Sequence, residues 1–194
     1  RANLRERPGH DASLETLEKI LQERRDNEAL ADLFGQQAEL LEADRAAHLW
    51  GRVAELAEGP LGDVERALEA HRRVVDVAPE DVGALDALAR IQRDRGEHAA
   101  AARWLERRLA VAGDDEKADV ALELARSLFA AGRSERAAEV LEQARYDAPT
   151  RDDLRSVLAD HYRGEQQFEP LARVLADSAE HATDPDRVLA FARE

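Results

Sequence analysis

The residues able to do chemistry in this chain are few and scattered. Its six histidines are His10, His48, His71, His98, His161 and His181. None has a second His four residues away with a Glu between them, the helical arrangement that grips zinc. His71 and His98 fall in core-lining positions and read as half-buried spacers. Asp160 and His161 are neighbours, so on a helix they point about 100° apart and do not face each other. Ser13, Ser127, Ser134, Ser156 and Ser178 lie outside any strained nucleophile elbow. There is no Gly-rich phosphate loop. Asp114-Asp115-Glu116 lacks the alternate spacing and central Gly of a calcium loop, and reads as the carboxylate-rich start of a helix. With no Cys, disulfides and thiolate metal sites are excluded. The pattern holds no catalytic constellation, no metal site and no cofactor motif, and the expectation is a protein that is not an enzyme.

The elements that carry these residues are helical. Of 194 residues 44% are hydrophobic, yet only 4% are aromatic, and Ala and Leu, both strong helix formers, make up much of the rest. Charged residues reach 36%, which suits amphipathic helices with one wet face. Runs such as 116–130 contain neither Pro nor Gly. A formal net charge of −14 argues against nucleic acid and against an anionic membrane surface. The apolar stretches fall far short of the roughly 20 residues that span a bilayer. No signal peptide is visible in residues 1–25, which leaves the compartment unknown, with a soluble protein of the cytoplasm as the default expectation. All but Lys19 and Lys117 of the 28 basic residues are Arg, a bias that points to a GC-rich bacterial genome.

Self-similarity organises the chain. Leu88-Ala89, Gly96, Ala101 and Leu105 return 36 residues later as Leu124-Ala125, Gly132, Ala137 and Leu141. Leu14, Leu17, Ile20 and Phe34 fall 71 residues before Leu85, Leu88, Ile91 and Leu105. Five units result: 11–44, 47–81, 82–115, 118–151 and 152–185. In each, an apolar run at helical spacing leads to a turn and then to a second amphipathic run. Pro79 and Pro149 stop the second helix in their units. Helices joined by so short a turn lie antiparallel, and one such hairpin buries its apolar face only by stacking on neighbours.

This grammar resembles the tetratricopeptide repeat. Unit 118–151 matches best, through Leu124, Ala125, Leu128, Gly132, Ala137, Leu141, Ala144 and Pro149. Unit 47–81 supplies Trp50, Val53, Ala54, Gly62, Val64, Ala67 and Pro79, with an extra residue in Glu58-Gly59-Pro60-Leu61-Gly62. Unit 152–185 supplies Leu158, Ala159, Tyr162 and Phe168 but has Leu171 in a small-residue position. Unit 11–44 departs furthest, with Glu18 in the small position and no Gly turn. The resemblance covers almost the whole chain and implies an all-α fold, an α-α superhelix or solenoid of about five antiparallel hairpins, in a single array over 1–194.

It also implies a function, a scaffold binding a protein or peptide partner through the concave groove lined by the first helices. In such arrays the residue after each small position projects into that groove. Here these residues are Lys19, Glu55, Arg90, Arg126 and Asp160, followed one turn later by Gln22, Glu58, Arg93, Phe129 and Arg163. The expected contact residues are Lys19, Arg90, Arg93, Arg126, Phe129 and Arg163. Inside an acidic protein, this locally basic strip suits an acidic peptide or carboxylate. Asp86, four residues before Arg90, offers that Arg an ordinary helical ion pair. The family's carboxylate clamp pairs Lys with Asn, whereas the matching positions hold Asp86 with Arg90 and Leu122 with Arg126. That departure counts against a receptor for chaperone tails.

By this register Arg1–Arg7 is the tail of one hairpin and Asp184–Glu194 the head of another, as in an internal fragment of a longer bacterial protein. Val188, Leu189 and Phe191 then form an apolar strip on a lone closing helix, and uncapped ends favour self-association. Two other functions fit the same sequence, an architectural spacer without a ligand and a regulatory module beside a domain outside this segment.

Overall fold

The computed structural model describes Leu4 and residues 8–181. Among these residues there are ten α-helices and no strand. The chain divides into two compact units, Arg1–Arg95 and Gly96–Glu194. The expected closing helix with Val188, Leu189 and Phe191 lies outside the described residues, as does most of Arg1–Arg7. Leu4 is helical and buried in the first unit's core.

The first unit runs α1 (Asp11–Glu23), α2 (Asn27–Ala38), α3 (Ala43–Leu56), a π-helical turn (Ala57–Leu61), α4 (Val64–Val77) and α5 (Val82–Asp94). Each helix packs on the next. Three of their starts are set by Asp side chains that accept the orphan backbone N–H groups of a first turn. Asp26 caps α2 through the Ala29 N–H at 3.1 Å, Asp63 caps α4 through Arg66 at 3.0 Å, and Asp81 caps α5 through Ala84 at 2.8 Å. Leu14, Leu21, Leu30, Phe34, Leu49 and Val53 build the core, with Trp50 packed half-buried against it. The extra residue around Glu58 to Gly62 is absorbed in the π-helical turn, a common way for a helix to take one insertion.

The second unit runs α6 (His98–Val111), α7 (Lys117–Ala130), α8 (Ser134–Asp147), α9 (Asp152–Gly164) and α10 (Phe168–His181), again with successive helices in contact. α7 lies innermost, burying Ala118, Ala121, Leu122, Leu124, Ala125 and Leu128. Leu105, Leu141, Leu154, Leu158 and Val174 complete this core. Phe168 fits the repeat's pattern but stands 70% exposed. It is the first residue of α10, one turn ahead of the buried face that Leu171, Val174 and Ser178 form.

The turn between the helices of a repeat needs a left-handed residue. Gly62, Gly96 and Gly132 supply it at φ of 62°, 75° and 72°. Arg25 and Gln166 hold the same place at 54° and 56° without being Gly. The chain thus makes the turn in unit 11–44 despite having no glycine for it.

Arginines tie one repeat to the next. Arg52 on α3 reaches Glu18 on α1 at 2.7 Å, which accounts for a Glu in the small position, and its guanidinium lies over the Phe34 ring at 4.9 Å. Arg66 on α4 bridges Glu28 and Asp32 on α2, both at 2.7 Å. In the second unit Arg151 reaches Asp119 at 2.6 Å and Arg145 reaches Asp177 at 2.7 Å. Arg155 is 2% exposed, in the position that Trp50 takes in its own repeat. Its two terminal nitrogens bind the Pro149 carbonyl and the Asp152 carboxylate, with Asp177 at 3.7 Å, while its Nε is buried without an acceptor among the described residues. No helix among the described residues is long and apolar enough to cross a membrane.

Candidate partner-binding surface

The six residues expected to contact a partner fall into two groups, one in each compact unit. In the first unit Lys19 is exposed on α1, Arg90 is exposed on α5 and Arg93, one turn on, is half-buried. Arg90 is engaged. Its guanidinium binds Glu58, and His71 Nε2 holds the other oxygen of the same carboxylate at 2.7 Å. Partial burial pushes the Glu58 carboxyl up, but hydrogen bonds from His71 and Arg90, with their charge, outweigh it and hold the group below the usual range. Arg90, Glu58 and His71 therefore form a closed cluster, its carboxylate carried by the π-helical turn.

This cluster was not legible from spacing. His71 sits in a core-lining position and Glu58 in an insertion, and only the π-helical turn swings the carboxylate between α4 and α5. The insertion itself was the one available signal.

In the second unit Arg126 and Phe129 lie three residues apart on α7, hence on one helix face. Arg126 is exposed, and among the described residues no carboxylate stands within ion-pair distance of it. Phe129 is half-buried and stacks on His161 of α9, ring centroids 4.8 Å apart and tilted by 42°. His161 in turn meets Tyr162 at 5.4 Å. Arg163 lies exposed and binds Asp160 at 2.9 Å, so the two charges at this end of α9 answer each other. Tyr162 is buried, with its hydroxyl 3.2 Å from Glu142. Burial, and then the Glu142 charge, raise its pKa, so the phenol stays protonated and donates to that carboxylate.

His161 is the contact that sequence reasoning missed. Its neighbour Asp160 drew the comparison, while its ring partner lies on the preceding repeat's first helix, 32 residues away. What the second unit offers is an aromatic ledge of Phe129 and His161 with one unanswered cation, Arg126, on the same helix. It can stack on a planar or apolar group and bind a carboxylate beside it.

Comparison with known proteins bears on the fold. Residues 84–119 match the family model described as Tetratricopeptide repeat. No curated protein matches the sequence. Solved structures match over most of the chain. YrrB, described as a TPR protein with an unusual peptide-binding site, is 12% identical with a TM-score of 0.58, covering 100% of this chain and 97% of that one. MamA from Desulfovibrio magneticus RS-1 is 16% identical with a TM-score of 0.54, covering 90% and 96%. The TPR-like repeats of a putative kinesin light chain from Podosopora anserina are 22% identical with a TM-score of 0.52, covering 92% and 100%. At such identities the likeness is one of fold. The chain has the all-α fold of tetratricopeptide-repeat proteins, and its sequence matches that family over residues 84–119.

Proposed function

We propose that the chain is a non-catalytic scaffold that binds a partner protein through an acidic segment, with Arg126, Phe129 and Arg163 as contacts in the second unit. The observation that carries this reading is the exposed Arg126 guanidinium beside the Phe129–His161 stack, without an ion-pair partner among the described residues. An uncompensated cation in a protein of net charge −14 attracts carboxylates, and the adjacent ring supplies apolar area. The similarly folded YrrB is described as having a peptide-binding site, which supports a peptide as the occupant. In the first unit the same reading takes Lys19 and Arg93 as contacts. Arg90 belongs with them only if a partner carboxylate displaces Glu58. An architectural spacer is the second reading, favoured by the many arginines already spent on ion pairs between repeats.

Arrays of peptides rich in Asp and Glu, probed with the full chain, test the first reading. The doubly changed Arg126→Glu, Phe129→Ala chain is expected to bind the selected peptides at least about a hundredfold more weakly. Its melting temperature should stay close to that of the wild type. Equal binding by both chains would show that these residues are not contacts.

A further inference from the structure

Two arginines hold the same place in successive repeats and are treated differently. Arg90 and Arg126 stand 36 residues apart, in register. Arg126 is exposed, with no carboxylate within ion-pair distance among the described residues. Arg90 is exposed too, but one oxygen of Glu58 binds its guanidinium, and the other lies 2.7 Å from His71 Nε2.

The difference comes from a segment that the other repeats lack among the described residues, the π-helical turn Ala57–Leu61. Such turns inside helices are frequent at functional sites. Its ends are fixed. Ala57 is buried, its carbonyl accepts the Asp63 N–H at 2.9 Å, and Leu61 packs against the core. Its middle stands free of the core, since Glu58, Gly59 and Pro60 are exposed and a Cβ on Gly59 would meet nothing within 4 Å. The carboxylate is therefore carried on a stretch of chain with open space beside it. The receiving pair is also within reach of solvent. His71 lines an open cleft of about 620 Å³ among α3, α4 and α5, with Gly51 and Glu55 of α3 and Ala84 of α5.

We propose that Glu58 is a built-in competitor, which occupies from the π-helical turn a carboxylate site made by Arg90 and His71 until an acidic partner displaces it. The chemistry of the occupant is on view, because a carboxylate already satisfies both donors with one oxygen each. Replacing it by another carboxylate keeps both bonds, so the contest turns on concentration. A group tethered by a short stretch of chain competes at an effective concentration on the order of millimolar. A single carboxylate from solution loses to it, whereas an acidic segment already held elsewhere on the chain can win. The site at Arg90 is thus shut to stray anions, and Arg126, in the same register position, is open to them. This inference rests on the proposed function for the acidity of the partner, but not on Arg126 as a contact.

Nuclear magnetic resonance titration of the full chain with N-acetyl-tetraglutamate amide, read at the Nε–H signals of Arg90 and Arg126, tests the competitor. Glu58→Ala should lower the half-saturation concentration at Arg90 by at least about tenfold, the factor expected if the site is open about one-tenth of the time in the wild type. Half-saturation at Arg126 should stay where it was. If Glu58→Ala is too unstable to titrate, Glu58→Gln keeps the shape without the charge and should show the same gain in smaller measure. Equal half-saturation at Arg90 in wild type and variant, or no saturable shift there, would overturn the inference and leave Glu58 as a tie between α4 and α5. A gain of the same size at Arg126 would overturn it too, because the lost negative charge would then account for both. An Arg126 signal that never responds, with the gain at Arg90 intact, would instead count against the proposed function.

Discussion

Gln166 and Arg25 each hold a backbone conformation that L side chains adopt at a cost of about 1–2 kcal/mol. Glycine avoids that cost but loses more freedom on folding, so the net gain from introducing it is smaller. Gln166→Gly is therefore expected to stabilise the protein by about 0.5–1 kcal/mol in urea unfolding. Gly132→Ala, the reverse change at the matching position, should destabilise it by a similar amount. A loss of stability in Gln166→Gly would mean that the Gln side chain makes a contact outweighing the strain. These two residues also mark where the sequence was opaque. Gly96 and Gly132 announce a left-handed turn by their type, whereas Arg and Gln announce nothing. Arg155 was hidden for a related reason. A charged side chain reads as surface, and the groups that accept its protons come from a preceding turn and its own first turn.

At the scale of helices the repeat was readable because several weak signals agreed. Leu-small pairs, turn glycines and Pro79 or Pro149 recur in phase, and the buried faces of α7 and α9 fall on Leu124, Leu128, Leu154 and Leu158. The extra residue near Glu58 was legible, but its outcome was not, since an insertion can become a loop, a bulge or a π-helical turn. Helix starts are the sharper test of local physics. Asp81 accepts the Ala84 N–H at 2.8 Å at the head of α5. Asp81→Ala should cost about 1 kcal/mol of unfolding free energy, while Asp81→Asn, which keeps an acceptor, should cost only a few tenths. Equal losses in the two variants would assign the effect to charge rather than to capping. The aromatic ledge was half legible. Phe129 was placed by register, but His161 needed the packing of α9 against the neighbouring repeat.

For the whole molecule, acidity and ion pairing set the response to solution conditions. The Glu58 and Glu116 carboxyls are held below their ordinary value of 4.5, and Asp153 below its 3.8. Glu58 is lowered because its partners outweigh burial, Glu116 by hydrogen bonding and charge from Arg108, and Asp153 by its bond to Arg151. A depressed carboxylate contributes its stability fully above the unfolded value and loses it as the pH falls through the folded one. The melting temperature should therefore fall as the pH drops below about 4.5, and less steeply in Glu58→Gln. An equal slope in that variant would remove Glu58 from the account. The charge at Arg126 is the centre of the functional reading, and a charge swap tests it most directly. Titration calorimetry would compare an acidic peptide selected by the wild type with its lysine counterpart, against wild type and Arg126→Glu. The account predicts that the wild type prefers the acidic peptide, that Arg126→Glu prefers the basic one, and that both chains melt alike. An acidic peptide that binds both chains equally would contradict it.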